Sequence, residues 1–278
     1  MHAGPVQSHL PALEGHATKR KRSQGAIAVG IIGYGRFGRL AAEILARSAT
    51  VFVWDPRLGR RGRLSTRIVS ASLEETAAQK IVLLAVPVSA LRDVLRMIRP
   101  LVKPPSTVID VCAVKAGPVQ WMASLLPKGV TAIGCHPFFG PDSYGGSLKG
   151  HRVVLCPVRG SREVQRKMKS LLRRAGLQVD TMTPDAHDRR MAETVFLTQL
   201  VGRSLASAHL GEDEGWTVHS RRLRSIVAVA RNDSDQLFVD MWKYNPHARE
   251  VARRFGKGWQ DIRRLLDGST AKRAGRQS

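Results

Sequence analysis

Cysteine is scarce in this chain. The three residues, Cys112, Cys135 and Cys156, are odd in number and far apart. They form no CxxC pair, which argues against a disulfide framework or a zinc knuckle and makes a reducing cytoplasm the expected compartment. Long apolar runs are missing too. No stretch approaches the roughly 18 residues of a membrane span, and the first 25 residues hold no apolar core of a secretory signal. Aromatic residues are 5% of the chain, a thin supply for stacking nucleic-acid bases. Acidic residues are few, 22 against 45 basic ones, leaving a net charge of +23. That surplus suits polyanionic ligands. It is spread over Lys19–Arg22, Arg57–Arg63, Arg159–Arg174, Arg249–Arg264 and Lys272–Arg276. Such spreading reads as solvated faces, so neither a nucleic-acid partner nor a membrane is expected.

What is present is an ordinary apolar fraction, 43% of 278 residues, enough for one large domain or two. Residues 1–25 read as a disordered basic arm. From Ala26 the texture becomes regular. The apolar runs Ala26–Ile32, Val51–Trp54, Ile81–Val86, Val108–Val111, Val130–Cys135 and Arg152–Cys156 read as strands, the first of them buried on both faces. Helical spacing over Arg36–Arg47 and Leu91–Ile98 alternates with them, which predicts an α/β fold with a doubly wound sheet. After Pro184 no strand signal returns. Asp185–Leu210 reads as one long helix with Met191, Val195, Phe196, Leu200, Val201 and Leu205 on one face. Leu223–Ala230, Asp235–Tyr244 and Pro246–Leu266 read as further helices. The expected organisation is a dinucleotide-binding domain over 26–183, an all-helical domain over 184–268 for substrate and dimerisation, and a basic tail over 269–278.

Gly33-Tyr34-Gly35-Arg36-Phe37-Gly38 is a GxGxxG. It follows a predicted strand and opens a predicted helix, and Asp55 ends the next strand. In that context the motif predicts a Rossmann-type dinucleotide site. Gly33 permits the tight turn, Gly35 the approach of the pyrophosphate, and Gly38 the close packing of helix on strand. Free N–H groups at the helix start face the phosphates. Tyr34, Arg36 and Phe37 lie within the loop, and Val86 and Pro87 end the neighbouring strand. Asp55 would accept the adenosine ribose hydroxyls and repel a 2′-phosphate, favouring NAD over NADP, while Arg57, Arg60 and Arg61 pull the other way.

Cys135-His136-Pro137-Phe138-Phe139-Gly140-Pro141-Asp142 places a histidine where a strand should end, before a glycine-rich loop. Ligands of open α/β sheets bind at that edge. With the glycine loop, Val108–Lys115, His187-Asp188-Arg189-Arg190-Met191, Thr198–Arg203 and Tyr244-Asn245-Pro246, this motif makes the chain resemble the prephenate and arogenate dehydrogenases of tyrosine biosynthesis. The resemblance runs from Ala26 to Leu266 and is nearest to the arogenate-type branch.

The resemblance implies an oxidative decarboxylation. A cyclohexadienol dicarboxylate loses hydride to the nicotinamide and carbon dioxide from the opposite ring carbon, giving 4-hydroxyphenylpyruvate or tyrosine. It assigns the proton-accepting role to His136, a task suited to an imidazole, and places Lys115 near cofactor and substrate. His187 matches a family histidine that shapes the cleft; as a bare sequence position it reads equally as a helix N-terminal residue. The substrate's carboxylates need cations, and Arg203, Arg221 and Arg222 are the candidates. One position departs from the family. A serine normally stands two residues before the lysine, and here it is Ala113, which leaves Cys112, Ser143 or water to supply the missing hydrogen bond. Two alternatives arise from that departure: a relative acting on 4-amino-4-deoxyprephenate or another cyclic acid, and a non-catalytic basic NAD-binding protein. No metal is expected, nor a fused regulatory domain. The expected assembly is a homodimer through the helical domain.

Overall fold

Six parallel strands carry the middle of the sheet. In the computed structural model, which describes residues 27–59, 62–211 and 216–274 with side chains to residue 268, β1 (Ala28–Ile32) pairs with β2 (Thr50–Trp54) on one side and β5 (Ile81–Leu84) on the other. β4 (Ile68–Ser70) extends the sheet beyond β2; β6 (Thr107–Asp110) and β7 (Thr131–Pro137) extend it beyond β5. The order β4-β2-β1-β5-β6-β7 is that of the Rossmann fold. The expected arm over 1–25 and the pair Arg60 and Arg61 lie outside the described residues.

Among the described residues the sheet has nine strands and is mixed rather than wholly parallel. β3 (Gly62–Arg63) runs antiparallel to β4, β8 (Arg152–Arg159) antiparallel to β7, and β9 (Gln178–Thr181) parallel to β8. The hairpin-like reversal from β7 to β8 needs no crossover helix, and the glycine-rich loop after His136 fills the connection.

Val29, Ile31, Ile32, Val51, Val53, Val82, Leu84 and Val108 are buried, as strands covered on both faces require. α1 (Arg36–Ala46) packs Ala41 and Ala42 against Ile31, Val51 and Val53. On the other face lie α3 (Val88–Ile98) and α4 (Ala116–Leu125), whose Leu91, Leu95, Ile98 and Met122 share a core with Ile32 and Leu84. α2 (Leu73–Ala77) is a single turn closed by a Ser72–Glu75 capping box. α5 (Arg162–Arg174) follows β8 and covers the sheet end near β9.

Among the described residues all elements after Thr181 are helical: α6 (Pro184–Met191), α7 (Leu197–Ser207), α8 (Val218–Asn232), α9 (Asp235–Tyr244) and α10 (Ala248–Ala274). Pro184 and the Thr183 hydroxyl, which accepts from the Ala186 N–H at 3.2 Å, start α6. The single helix expected over Asp185–Leu210 is interrupted by a π turn at Ala192–Phe196. Its extra residue rotates α7 about the helix axis, so Gln199 and Gly202 are buried while Leu200, Val201 and Leu205 are only partly covered. α10 continues to Ala274, so the expected tail over 269–278 begins inside a helix. Ala192, Phe196, Met241, Ala248 and Val251 belong to the same apolar cluster as Ile32, Leu84 and Leu91. Truncating a side chain as buried as Phe196 costs about 3–5 kcal/mol, so the helices are held to the sheet by a shared core. Among the described residues no helix is long and apolar enough to cross a membrane.

Candidate active site

The glycine loop joins β1 to α1 at the carboxyl edge of the sheet. Gly33 has φ +98°, and a Cβ there would lie 2.4 Å from the Ala85 carbonyl oxygen and 2.9 Å from Val86 Cγ1. A Cβ on Gly38 would meet the Gly33 carbonyl oxygen at 2.1 Å. Both positions therefore need glycine. Gly35 differs: a Cβ there has no neighbour nearer than Arg57 Nη2 at 4.0 Å, so this part of the loop faces open space. Gly35 is also the N-cap of α1 and makes no side-chain cap bond, which leaves N–H groups available to an anion. Asp55 follows β2. Beside it lies a pocket of about 360 Å³ lined by Trp54, Asp55, Leu58, Ser70, Ser72 and Glu74. A bare-backbone cradle at a helix start with an acidic pocket beside it fits a dinucleotide.

The Asp55 carboxylate is already well bonded. Oδ2 accepts from Tyr34 N–H at 2.8 Å and Arg57 Nη2 at 3.1 Å, and Oδ1 accepts from Arg57 N–H and Nε, both at 3.0 Å. Burial alone would raise its pKa, but these donors hold it at about 2. Arg57 itself is 78% exposed. Arg36, at the start of α1, donates to Asp142 Oδ1 at 2.6 Å and to the Asn232 carbonyl at 2.7 Å. It thus bridges the glycine loop, the loop after β7 and the end of α8. Phe37 faces Phe139, ring centroids 6.5 Å apart. Val86 and Pro87 follow β5, Val86 against Gly33 and Pro87 exposed as the N-cap of α3.

His136 stands at the carboxyl end of β7, half-buried. Its Nδ1 lies 2.9 Å from Nε2 of His187, and His187 Nδ1 lies 2.7 Å from Asp188 Oδ1. Asp188 Oδ1 also accepts from the Lys115 N–H at 2.7 Å, and Oδ2 from the Ala116 N–H at 2.8 Å, so this carboxylate from α6 caps α4. The Asn245 amide donates to the Asp188 carbonyl at 2.8 Å. Burial, then His187 and Lys115, hold His136 well below its usual pKa. Burial also lowers His187, against the pull of Asp188. Both imidazoles are neutral at physiological pH, the state a general base requires.

Residues 63–190 match the family model described as prephenate dehydrogenase, nucleotide-binding domain. A probable arogenate/prephenate dehydrogenase of Methanocaldococcus jannaschii is 26% identical over 213 residues, which is 73% of this chain and 47% of that protein. Arogenate dehydrogenase 2, chloroplastic, of Arabidopsis thaliana is 24% identical over 259 residues, 89% of this chain and 72% of that protein. The chain thus spans about half the length of the first relative. In fold it is similar to the crystal structure of Aquifex aeolicus prephenate dehydrogenase in complex with hydroxyphenyl propionate and NAD+, with TM-score 0.69, 19% identity and coverage of 90% and 93% of the two chains. These matches make the chain similar to the prephenate/arogenate dehydrogenases, with the family model confined to residues 63–190.

Against that family's pattern, several side chains stand elsewhere than expected. Lys115, expected at the substrate, is 0% exposed, and its ammonium bonds Asp110 Oδ1 at 2.5 Å beneath the site. Burial works to lower its pKa, but Asp110, together with Cys112 and Cys135, raises it on balance. Arg203, expected to hold a carboxylate of the ligand, is committed within the helices. It donates to Asp235, to Gln199 Oε1 at 3.2 Å and to the Asp233 carbonyl at 3.0 Å. Arg221 and Arg222 are exposed near the start of α8. Ser143 is exposed, and its hydroxyl accepts from the Gly140 N–H at 3.1 Å within a turn. The Cys112 thiol donates to the Val86 carbonyl at 3.5 Å. Neither side chain therefore fills in for the hydroxyl missing at Ala113.

Asp188, Asp110 and Asn245 do not stand out as functional in the sequence, although all three sit in segments that carry the resemblance. Their signal is adjacency: Asp188 follows His187, and Asp110 ends a strand just before the lysine loop.

Proposed function

We propose that this chain is a nicotinamide-dependent oxidoreductase that decarboxylates prephenate or arogenate oxidatively. The observation that carries the reading is a neutral, half-buried imidazole at the carboxyl end of β7. It shares a sheet edge with the glycine cradle three strand spacings away, roughly 14 Å. Gly33, Gly35, Gly38 and the start of α1 would hold the pyrophosphate, and Asp55 with its pocket the adenosine. The bound dinucleotide would supply the hydride acceptor. His136 takes the proton from the hydroxyl whose carbon is oxidised. Once carbon dioxide has left and the ring oxygen is a phenolate, His136 returns the proton to that oxygen, so no proton is consumed overall. NAD is the cofactor favoured by the ionised Asp55, with Arg57 as the counterweight that would admit NADP.

We divide the roles at about residue 184, with the sheet portion binding the dinucleotide and the helices closing the substrate cleft. A second copy of the chain covers the outer stripe of α10. There Phe255, Trp259, Ile262 and Leu266 recur at helical spacing and are exposed, Trp259 at 62%. A patch of this kind marks an association surface. Sedimentation of the full chain should give a dimer, and Trp259→Asp a monomer.

The deciding experiment is reduction of NAD+ and NADP+ by the purified chain with prephenate and arogenate in parallel, followed by the absorbance of the reduced nicotinamide. His136→Asn should keep dinucleotide affinity and lower turnover by about 10²–10⁴. Unchanged turnover would remove His136 from its role. A second reading is favoured by Ala113: a substrate bearing an amine in place of the ring hydroxyl. Turnover of 4-amino-4-deoxyprephenate alone would select it.

A further inference from the structure

We infer that His187 and Asp188 are positioning residues that fix His136 in the one tautomer able to act as a base, a task this chain cannot give to a hydroxyl at position 113. The inference rests on His136 being the base. It comes from hydrogen-bond directionality along the chain Asp188–His187–His136. The Asp188 carboxylate accepts two backbone N–H bonds from the start of α4, at 2.7 and 2.8 Å. An ionised carboxylate has acceptors only. The imidazole nitrogen 2.7 Å from Oδ1 must therefore carry the hydrogen, which protonates His187 at Nδ1. In neutral His187, Nε2 is then a lone pair. It faces His136 Nδ1 at 2.9 Å, so that nitrogen must be the donor. His136 Nε2 is left with a free lone pair, and it is the only ring nitrogen of the pair not spent on the chain.

The reach of the arrangement is set by burial. His187 and Asp188 are both 0% exposed, so water does not compete for the two contacts. Lys115 and Asp110 lie alongside as a buried ion pair, and they are the other charged groups that influence His187. When His136 Nε2 accepts the substrate proton, its Nδ1–H bond to His187 becomes charge-assisted and stronger. The positive charge is then stabilised through His187 by Asp188. Asn245 holds the peptide carbonyl of Asp188, which fixes the carboxylate's element against α9. Ala113 carries no hydroxyl, and the Cys112 thiol and Ser143 hydroxyl are engaged elsewhere, with Val86 and Gly140.

The test uses two variants of the full chain. His187→Leu removes the acceptor for His136 Nδ1–H; His187→Gln restores one through its amide oxygen. His187→Leu should lower kcat by about 10²-fold or more with KM within about threefold. His187→Gln should recover about tenfold of that loss. A purely structural role would not separate the two. The second readout needs no turnover: ¹⁵N shifts of the histidine rings in the free protein, with His136 assigned by its loss in His136→Asn. Wild type should show His136 protonated at Nδ1, and His187→Leu a mixture of tautomers. His136 protonated at Nε2 in wild type, or equal kcat in both His187 variants, would overturn the inference. If the wild-type chain turns over no tested substrate yet His136 is protonated at Nδ1, the proposed reaction fails while the tautomer lock stands.

Discussion

Lys115 invites the sharpest perturbation, because sequence and structure assign it different work. The residue is wholly buried, as is its partner Asp110. Asp110 Oδ2 has no hydrogen-bond partner, and Oδ1 is shared between the Lys115 ammonium and the Cys112 N–H at 3.0 Å. In Lys115→Met the carboxylate would keep one backbone donor and lose its counter-charge in a water-excluded place. Breaking a buried pair by removing one member costs about 3–5 kcal/mol, a large share of the roughly 5–15 kcal/mol that separates a typical folded domain from its unfolded chain. In urea this is a midpoint shift of at least about 1 M. The double variant Asp110→Asn with Lys115→Met should recover most of the loss, since a neutral amide needs no counter-charge and can still accept from Cys112 N–H. Equilibrium urea unfolding of the wild type, both single variants and the double variant measures the coupling. If Lys115→Met costs under about 1 kcal/mol while abolishing substrate binding, the lysine serves the ligand directly and the structural assignment is wrong.

Three further outcomes are expected. Arg57→Gln should weaken NADP+ binding relative to NAD+ by about tenfold, the worth of one charge-assisted contact. Calorimetric titration with both dinucleotides checks this, and an unchanged ratio would exclude Arg57 as the counterweight to Asp55. Asp240→Ala removes the carboxylate that accepts from Ser89 N–H at 3.1 Å and from the Gln236 amide at 2.7 Å. It should cost about 1–3 kcal/mol, read as a lower Tm. His136 and His187 titrate lower in the fold than in the unfolded chain. As pH falls below about 6.5 the unfolded chain therefore binds more protons, and stability declines. Asp55, at about 2 against 3.8, adds a second loss in acid. A urea midpoint constant between about pH 7.5 and 5.5 would contradict the histidine part.

The glycine loop and the strand run around it are legible in the sequence because their physics is local. A strand buried on both faces writes itself as an apolar run, and the turn at Gly33 admits no other residue. β3 and β4 are not legible: strands of two and three residues carry no periodic signal. The π turn at Ala192–Phe196 is invisible for the opposite reason. The apolar spacing of Met191, Val195 and Phe196 runs straight through it, and only the hydrogen-bond register changes. Lys115 misleads because a buried lysine and a ligand-binding lysine look alike in sequence. What separates them is Asp110, five residues earlier, whose side chain shares the same dry space. Arg203 misleads in the same way, since its acidic partner Asp235 lies 32 positions on.

The same contrast explains how the site is left available. Three of the longer helices, α1, α3 and α4, start at the carboxyl edge of the sheet, and none has a side-chain cap of its own at the N-cap residue. Each start is a potential anion site. Asp240, 151 residues beyond Ser89, occupies the start of α3, and Asp188, 73 residues beyond Lys115, occupies the start of α4. Both carboxylates come from the helices after Pro184, so docking those helices on the sheet neutralises two of the three sites. The start of α1, at the open Gly35, is left for a phosphate. One contact at α4 then serves twice: the carboxylate that plugs the helix also sets the hydrogens along His187 and His136. Dinucleotide position and base orientation are thereby tied to a single docking geometry, and loosening Asp188 should disturb the base while the glycine loop, on β1 and α1, still binds its dinucleotide.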